Sequence, residues 1–231
     1  DGYRRKSAIN DSILGEFRTV YGDDVSKEDI FYYVYGILHS SEYRERFYAT
    51  LKKMLPRIPL TKERKDYDAF TQAGRDLAYW HLNYDTIEPH PDVREQTDQL
   101  NLDPWQLYKV QKNMNFARPT AEQKAAGFKW DKTRIVYNSK ITLSGIPLEA
   151  YDYIVNGKSP IEWVIDRYKV TVDSKKSGIK NDPNDWCLEH DDPRYIIDLL
   201  KRVTRVSTET NKIIDNLPAL NERTFKAVKS E

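Results

Sequence analysis

Cations, aromatic rings and short polar side chains come together in one stretch of this sequence, residues 129–169. Lys129, Lys132, Arg134 and Lys140 flank a proposed β-hairpin, with only Asp131 opposing them, and Lys158, Arg167, Lys169, Lys175, Lys176 and Lys180 follow. Ammonium and guanidinium groups spaced in this way can contact successive phosphates, giving salt-dependent affinity and a fixed register. Tyr137, Asn138 and Ser139 stand at or beside the expected tip. From there Asn138, Ser139 or a nearby arginine would reach base edges, since Asn reads adenine and Arg reads guanine by paired hydrogen bonds. The same cations equally fit a solvated rim that balances neighbouring acids.

These side chains need elements to hold them. Arg134–Tyr137 and Lys140–Leu143 read as two short strands, because Ile, Val, Thr and Tyr dominate them. Asn138-Ser139 is the two-residue turn between them, and such a ribbon is narrow enough for the major groove. A third strand is expected over roughly Glu149–Val155, after the Gly145-Ile146-Pro147 break. Asn156-Gly157 ends it. Ser159-Pro160 then opens a helix, with a capping residue followed by proline at the first helical position.

The chain has 37 Lys+Arg against 36 Asp+Glu, a net charge of +1, so any nucleic-acid role must come from local segregation of charge. One cysteine, Cys187, excludes an internal disulfide framework and fits a reducing, cytoplasmic compartment. No apolar run approaches the ~20 residues of a membrane span, and no signal-peptide pattern opens the sequence. The start at Asp1, without methionine, suggests a piece of a longer protein. Mean hydropathy is low, at −0.77, yet 12% aromatic residues argue against disorder. The sixteen tyrosines and five tryptophans are read as large amphipathic rings filling a core among charged helices.

Apolar spacing predicts helices over 7–21, from Ser26 to about Ser40, from Ser41 to the Pro56 and Pro59 breaks, and over about 66–83. Ser26 and Asp29 form a capping box with Asp in place of the usual Glu or Gln. The Ser41 helix should bury Tyr43, Phe47, Leu51 and Met54. Residues 84–128, punctuated by four prolines, read as an ordered connector with short helices, and 173–192 as a loop pinned by Trp186. A long helix from Pro193 to about Leu217 carries Ile196, Leu199, Val203, Val206, Thr210, Ile213 and Leu217 three and four apart. Beyond Pro218 the tail is expected to fray.

No constellation in the sequence carries catalysis. Gly157-Lys158-Ser159 imitates the end of a phosphate loop, but Asp152 occupies the place of its first glycine. His39, His81, His90 and His190 are scattered, and with a single cysteine they have no metal spacing. Glu63-Arg64-Lys65 and Glu122-Gln123-Lys124 each mimic half of a metal-nuclease signature without its preceding strand. The acids Asp182, Asp185, Glu189, Asp191 and Asp192 would repel phosphate. Neither catalytic nor metal-binding residues are expected.

Several strings taken together resemble a known family: DIFYYVYGILHS at 29–40, EYR at 42–44, LPRIP at 55–59, GRDLA at 74–78 with HLNY at 81–84, and the segments 137–147 and 151–168. As a set, spanning about residues 25–217, they are similar to the C-terminal specificity domain of type ISP restriction–modification enzymes. Those are single-chain enzymes joining nuclease, helicase-like ATPase, adenine methyltransferase and target-recognition parts. The resemblance implies a parent that reads one DNA sequence, methylates an adenine in it and cleaves unmodified DNA after ATP-driven translocation. S-adenosylmethionine, ATP and Mg would serve the parent, and no cofactor this chain. Neither an Asn-Pro-Pro-Tyr-type methyltransferase motif nor a helicase motif occurs here.

The expectation is therefore an α+β fold, mostly helical, with a small antiparallel β-sheet around residues 134–155 and a long C-terminal helix. A helical part at 1–90 would precede a target-recognition part at 91–231. Its partners would be double-stranded DNA and the methyltransferase region of the same parent chain, with no membrane. The rival reading is a docking module that uses the 196–217 seam to hold the methyltransferase to the rest of the parent.

Overall fold

The computed structural model describes residues 6–99, 101–172 and 177–223. They form two compact units: one holds the described residues up to Leu82 and those from Lys212 onward, the other Asn83–Asn211. The architecture is α+β, mostly helical, with small antiparallel sheets and a long last helix.

In the first unit, α1 (Asp11–Tyr21) starts later than its apolar stripe implies, because the Asn10 side chain accepts from the Ile13 N–H and fixes the N-terminus there. The capping box of α2 (Lys27–His39) is present, with Ser26 and Asp29 each binding the other's backbone N–H. The expected helix from Ser41 is instead two pieces, α3 (Ser41–Arg46) and α4 (Tyr48–Leu51). Of its proposed buried face, Tyr43 is buried but Met54 is 54% exposed. The last helix of this stretch, α5 (Arg64–Leu82), runs parallel to α2: Asp29 meets Arg75, Tyr32 meets Gly74 and Tyr35 meets His81.

Two glycines permit that crossing. A Cβ on Gly74 would lie 1.8 Å from the Tyr32 carbonyl oxygen, and one on Gly36 would lie 2.2 Å from that of Phe70. Beside this contact Phe17, Tyr21, Tyr33, Tyr67 and Phe70 form an aromatic core, with Tyr21 and Tyr67 stacked at 4.2 Å. Buried tyrosine hydroxyls usually find an acceptor, and of this core only that of Tyr67 lacks one among the described residues. Tyr43, Tyr33 and Tyr21 donate to the carbonyls of Arg57, Pro59 and Thr61, so the extended 57–61 segment is tied down by rings of the core. Leu220 fills the same core, Glu222 bridges to Thr61, and the Arg223 N–H donates to Leu60. As far as Arg223 the tail is paired, not frayed.

The second unit is built on a four-stranded antiparallel sheet in the order β1-β4-β3-β2: β1 (Arg94–Gln96), β2 (Asn115–Ala117), β3 (Asp131–Val136) and β4 (Thr142–Ser144). Its two edges come from the stretch read as a connector, which also carries α6 (Pro104–Leu107) and α7 (Ala121–Ala125). The third strand predicted at 149–155 is absent. Leu148–Tyr151 is a 3-10 turn and Val155 bridges only to Lys158, although Tyr151 and Tyr153 are buried with strand-like alternation. Ser159 caps α8 (Pro160–Arg167), with Pro160 at its first turn, as its residue types require. Within the expected loop at 173–192 stand β6 (Lys180–Asn181), paired with β5 (Thr171–Val172), and α9 (Pro183–Glu189), whose Trp186 stacks on His190 and lies tilted against Tyr195.

The last helix, α10 (Tyr195–Asp215), puts Ile196, Leu199 and Val203 into the core of the second unit together with Ile135, Leu143, Ile161 and Val164. The first half of that seam is thus buried inside the chain, where the rival docking reading would have it exposed.

Candidate nucleic-acid interface

A sheet is pleated, so one face of the four strands looks to the core and the other away from it. Register places Glu95, Leu143, Ile135 and Phe116 across one row. Leu143 and Ile135 are fully buried there, and Glu95 pairs with Arg194, just before α10, at 2.6 Å and with Lys201 of α10 at 3.1 Å. The opposite row holds Gln96, Thr142, Val136 and Asn115, and Arg94 stands across from Ser144 beside it. Arg134, two residues before Val136 on β3, shares this second face. No core cluster covers it: Arg94, Gln96, Asn115, Arg134 and Val136 are all exposed.

The proposed site residues divide sharply on this frame. Arg134 is half exposed on the open face, with Nε 3.4 Å from the buried Asp131 carboxylate. Tyr137 and Asn138 are buried. Tyr137 donates to the Tyr108 carbonyl at 2.6 Å, and burial pushes its hydroxyl far above its ordinary pKa. Asn138 gives Nδ2–H to the carbonyls of Leu107 and Lys109, and its Oδ1 accepts from the N–H groups of Lys140 and Ile141. Those bonds consume the groups that would read adenine. They also make the hairpin tip a wide loop, closed by Ile141 and not by a two-residue turn, and clamp it to the 106–111 segment. Ser139 is exposed and bonded to Gln111, and Lys140 donates to the Gln106 carbonyl at 2.7 Å.

Lys132 ion-pairs with Glu162 at 2.9 Å, over the rings of Tyr151 and Phe116. Burial opposes charge on Glu162, but the Ser159 N–H and the Lys132 ammonium outweigh it and hold the carboxyl below its ordinary range. On and beside α8, Lys158 and Lys169 each lie 3.0 Å from Asp166, and their hydrogen bonds bring its pKa down to about 2. The exposed Arg167 guanidinium and the Lys158 ammonium both sit 5.1 Å from the Trp163 ring centroid. Lys129 is exposed and makes no ion pair among the described residues. Lys175 and Lys176 lie outside the described residues.

The free ribbon of the sequence reading is thus corrected. Its two strands are the centre of a sheet whose four strands span about 14 Å, wider than a major groove of about 12 Å. Such a face can lie over a groove but is too broad to enter it flat, as a two-stranded ribbon does. What it offers is a plane of two guanidiniums, two carboxamides, two hydroxyls and one exposed valine, the set of groups that discriminates base edges and the thymine methyl. Sequence reasoning missed Arg94, Gln96, Asn115, Thr142 and Ser144 in this role. Only the strand pairing brings them together.

The chain is similar to known proteins over nearly its whole length. The family described as the type ISP C-terminal specificity domain matches residues 1–199. Among solved structures, a nuclease-deletion mutant of the type ISP restriction–modification enzyme LlaGI, in complex with a DNA substrate mimic, is 40% identical with a TM-score of 0.71; the match covers 87% of this chain and 14% of that one. LlaBIII, an ATP-dependent type ISP restriction–modification enzyme bound to DNA, is 37% identical with a TM-score of 0.76, over 94% of this chain and 12% of the other. DrdV in complex with DNA is 31% identical with a TM-score of 0.71, over 91% and 20%. The chain therefore spans between 12% and 20% of the length of these proteins. A comparison with curated proteins found no match.

Proposed function

This chain belongs to the type ISP C-terminal specificity domain family, and on that footing we propose that it recognises a double-stranded DNA sequence through the open face of its four-stranded sheet. The observation that carries the reading is the composition of that face. Arg94, Gln96, Asn115, Arg134, Thr142 and Ser144 are polar side chains on an antiparallel sheet whose other face is sealed by the core. Lys129, Arg167 and the pairs around Asp166 supply cations for phosphate contacts, which position without reading sequence. The relatives named above include enzymes solved with DNA.

In this reading the chain contributes no catalytic group. The parent is a restriction–modification enzyme, an adenine-N6 methyltransferase joined to an ATP-dependent translocase and nuclease, working in the cytoplasm with S-adenosylmethionine, ATP and Mg. The methyltransferase region of that parent is the chain's second partner. No helix among the described residues is long and apolar enough to cross a membrane.

A gel-shift series on the chain, at rising salt, with a pool of duplexes of random sequence followed by sequencing of the bound fraction, tests the reading. Enrichment of one sequence is expected, with affinity falling steeply as salt rises. Replacing Arg94 and Arg134 together by Ala should weaken binding by at least about tenfold and relax the sequence preference, with little change in thermal midpoint. Enrichment that survives the double replacement would move recognition to another surface.

A further inference from the structure

Beside the start of β3 lies a cleft of about 330 Å³ whose aromatic walls the sheet-face reading does not use. Its apolar walls are Phe128, Trp130 and Leu148, which are 58%, 52% and 55% exposed, too open to serve as core. The chain presents them deliberately. Gly127, at φ +86°, turns the backbone after α7, and the Phe128 N–H closes back on the Gln123 carbonyl. Neither ring has a hydrogen bond, an aromatic neighbour or a cation partner among the described residues. The charged groups lining the cleft are Lys129, Lys132 and Asp131, and the last is turned inward: its carboxylate accepts from Thr133 N–H and Oγ1–H and is 4% exposed. The mouth is therefore aromatic and cationic, with an unpaired ammonium at Lys129.

We propose that this cleft holds an unpaired, unstacked nucleotide of DNA, its base against Phe128 and Trp130 and its phosphate against Lys129. Three observations select that ligand. Planar aromatic walls suit a π-face of any base, and stacking of this kind is tolerant of sequence. An apolar peptide side chain would satisfy the walls but leave the ammonium unmatched, whereas a nucleotide brings its own anion. Position adds the third. Trp130 precedes Arg134 by four residues, at most about 13 Å of chain and less here because β3 is irregular between Asp131 and Ile135, so a nucleotide displaced from a duplex lying on the open sheet face would be within reach. The inference rests on the duplex-binding reading and adds a second kind of site to it.

The test uses the chain and three labelled probes in anisotropy titrations: a fully paired duplex, the same duplex with one extra unpaired nucleotide, and a single strand of equal length. The unpaired nucleotide should raise affinity over the paired duplex. Phe128→Ala and Trp130→Ala should each abolish most of that gain, roughly tenfold, and weaken the single strand similarly, while leaving the paired duplex within about twofold. Lys129→Gln should lower the salt dependence for the single strand by about one ion. Trp130→Phe, which keeps a stacking surface, should retain most of the gain, and it guards against a folding defect in the alanine variant. Equal affinity for paired and unpaired probes, or losses spread evenly over all three, overturns the cleft while leaving the duplex reading intact. Failure of every probe to bind removes both.

Discussion

Lys132 Nζ lies 2.9 Å from Glu162 Oε1, while the other oxygen of that carboxylate accepts from the backbone N–H and the hydroxyl of Ser159. One acid thus fastens β3 to the N-terminus of α8. A cation first picked out as a phosphate contact is a fastening of the fold. Lys132→Ala should cost about 1 kcal/mol in urea unfolding, the pair and its aromatic seat being partly exposed. Paired-duplex affinity should be unchanged. A large loss of duplex binding at unchanged stability would reverse the assignment.

Asn138 is expected to be the most sensitive residue of the hairpin. Replacing it by Ala leaves two carbonyls and two N–H groups without their partner in a buried place, at a cost of about 3 kcal/mol. Asn138→Asp keeps the two N–H contacts but faces the carbonyls with a carboxylate. It should also destabilise, and less so once acid protonates it. Chemical denaturation at pH 7 and pH 4 compares the two variants.

The glycine crossing predicts non-additivity. Gly74→Ala and Gly36→Ala each drive a methyl into a backbone carbonyl of the opposite helix, so each should cost about 3 kcal/mol or more. Once one has forced α2 and α5 apart, the second meets a relaxed contact. The double variant should therefore lose clearly less than the sum of the two, as a double-mutant cycle would read.

Acid should loosen the first unit before carboxylates titrate in bulk. Tyr35 Oη and His81 Nδ1 are 2.6 Å apart, and burial, then the nearby His39, push the His81 pKa down to about 4. Burial lowers His39 as well, against the Tyr35 carbonyl that favours its charged form. Unfolded histidine takes up its proton near pH 6.5. Between that value and about 4 the unfolded chain binds more protons, so stability is full above pH 6.5 and declines as pH falls through this window. Thermal midpoints from pH 7.5 to 4.5 should trace the decline, and His81→Gln should flatten it. A level profile in the unaltered chain would contradict the assignment.

What the sequence displayed, and what it hid, follows from the range of the interactions. The caps of α2 and α8 were legible because Ser26 with Asp29, and Ser159 with Pro160, act within one turn of their own helix. The α10 stripe was legible because its period is local. β1 and β2 were not: of Arg-Glu-Gln and Asn-Phe-Ala only Phe116 favours a strand, and these residues are strands because β4 and β3 lie beside them. The same blindness shaped the site. Lys132, Lys140, Lys158 and Lys169 look free in a linear text, and each finds an acid or carbonyl once the chain is folded. Tyr151 and Tyr153 failed in the opposite sense. Their alternation is real burial without a ladder partner, so periodicity alone promised a strand where a turn stands.

The first unit closes only when Leu220 enters its aromatic core and Glu222 meets Thr61. During synthesis those residues leave the ribosome after the entire Asn83–Asn211 segment. The helices made first must therefore wait, with part of their apolar surface uncovered, while a whole second body is produced. A chain that stops near Asp215 would lack Leu220 and Glu222, and should leave the aromatic core of the first unit open to chaperones and proteases.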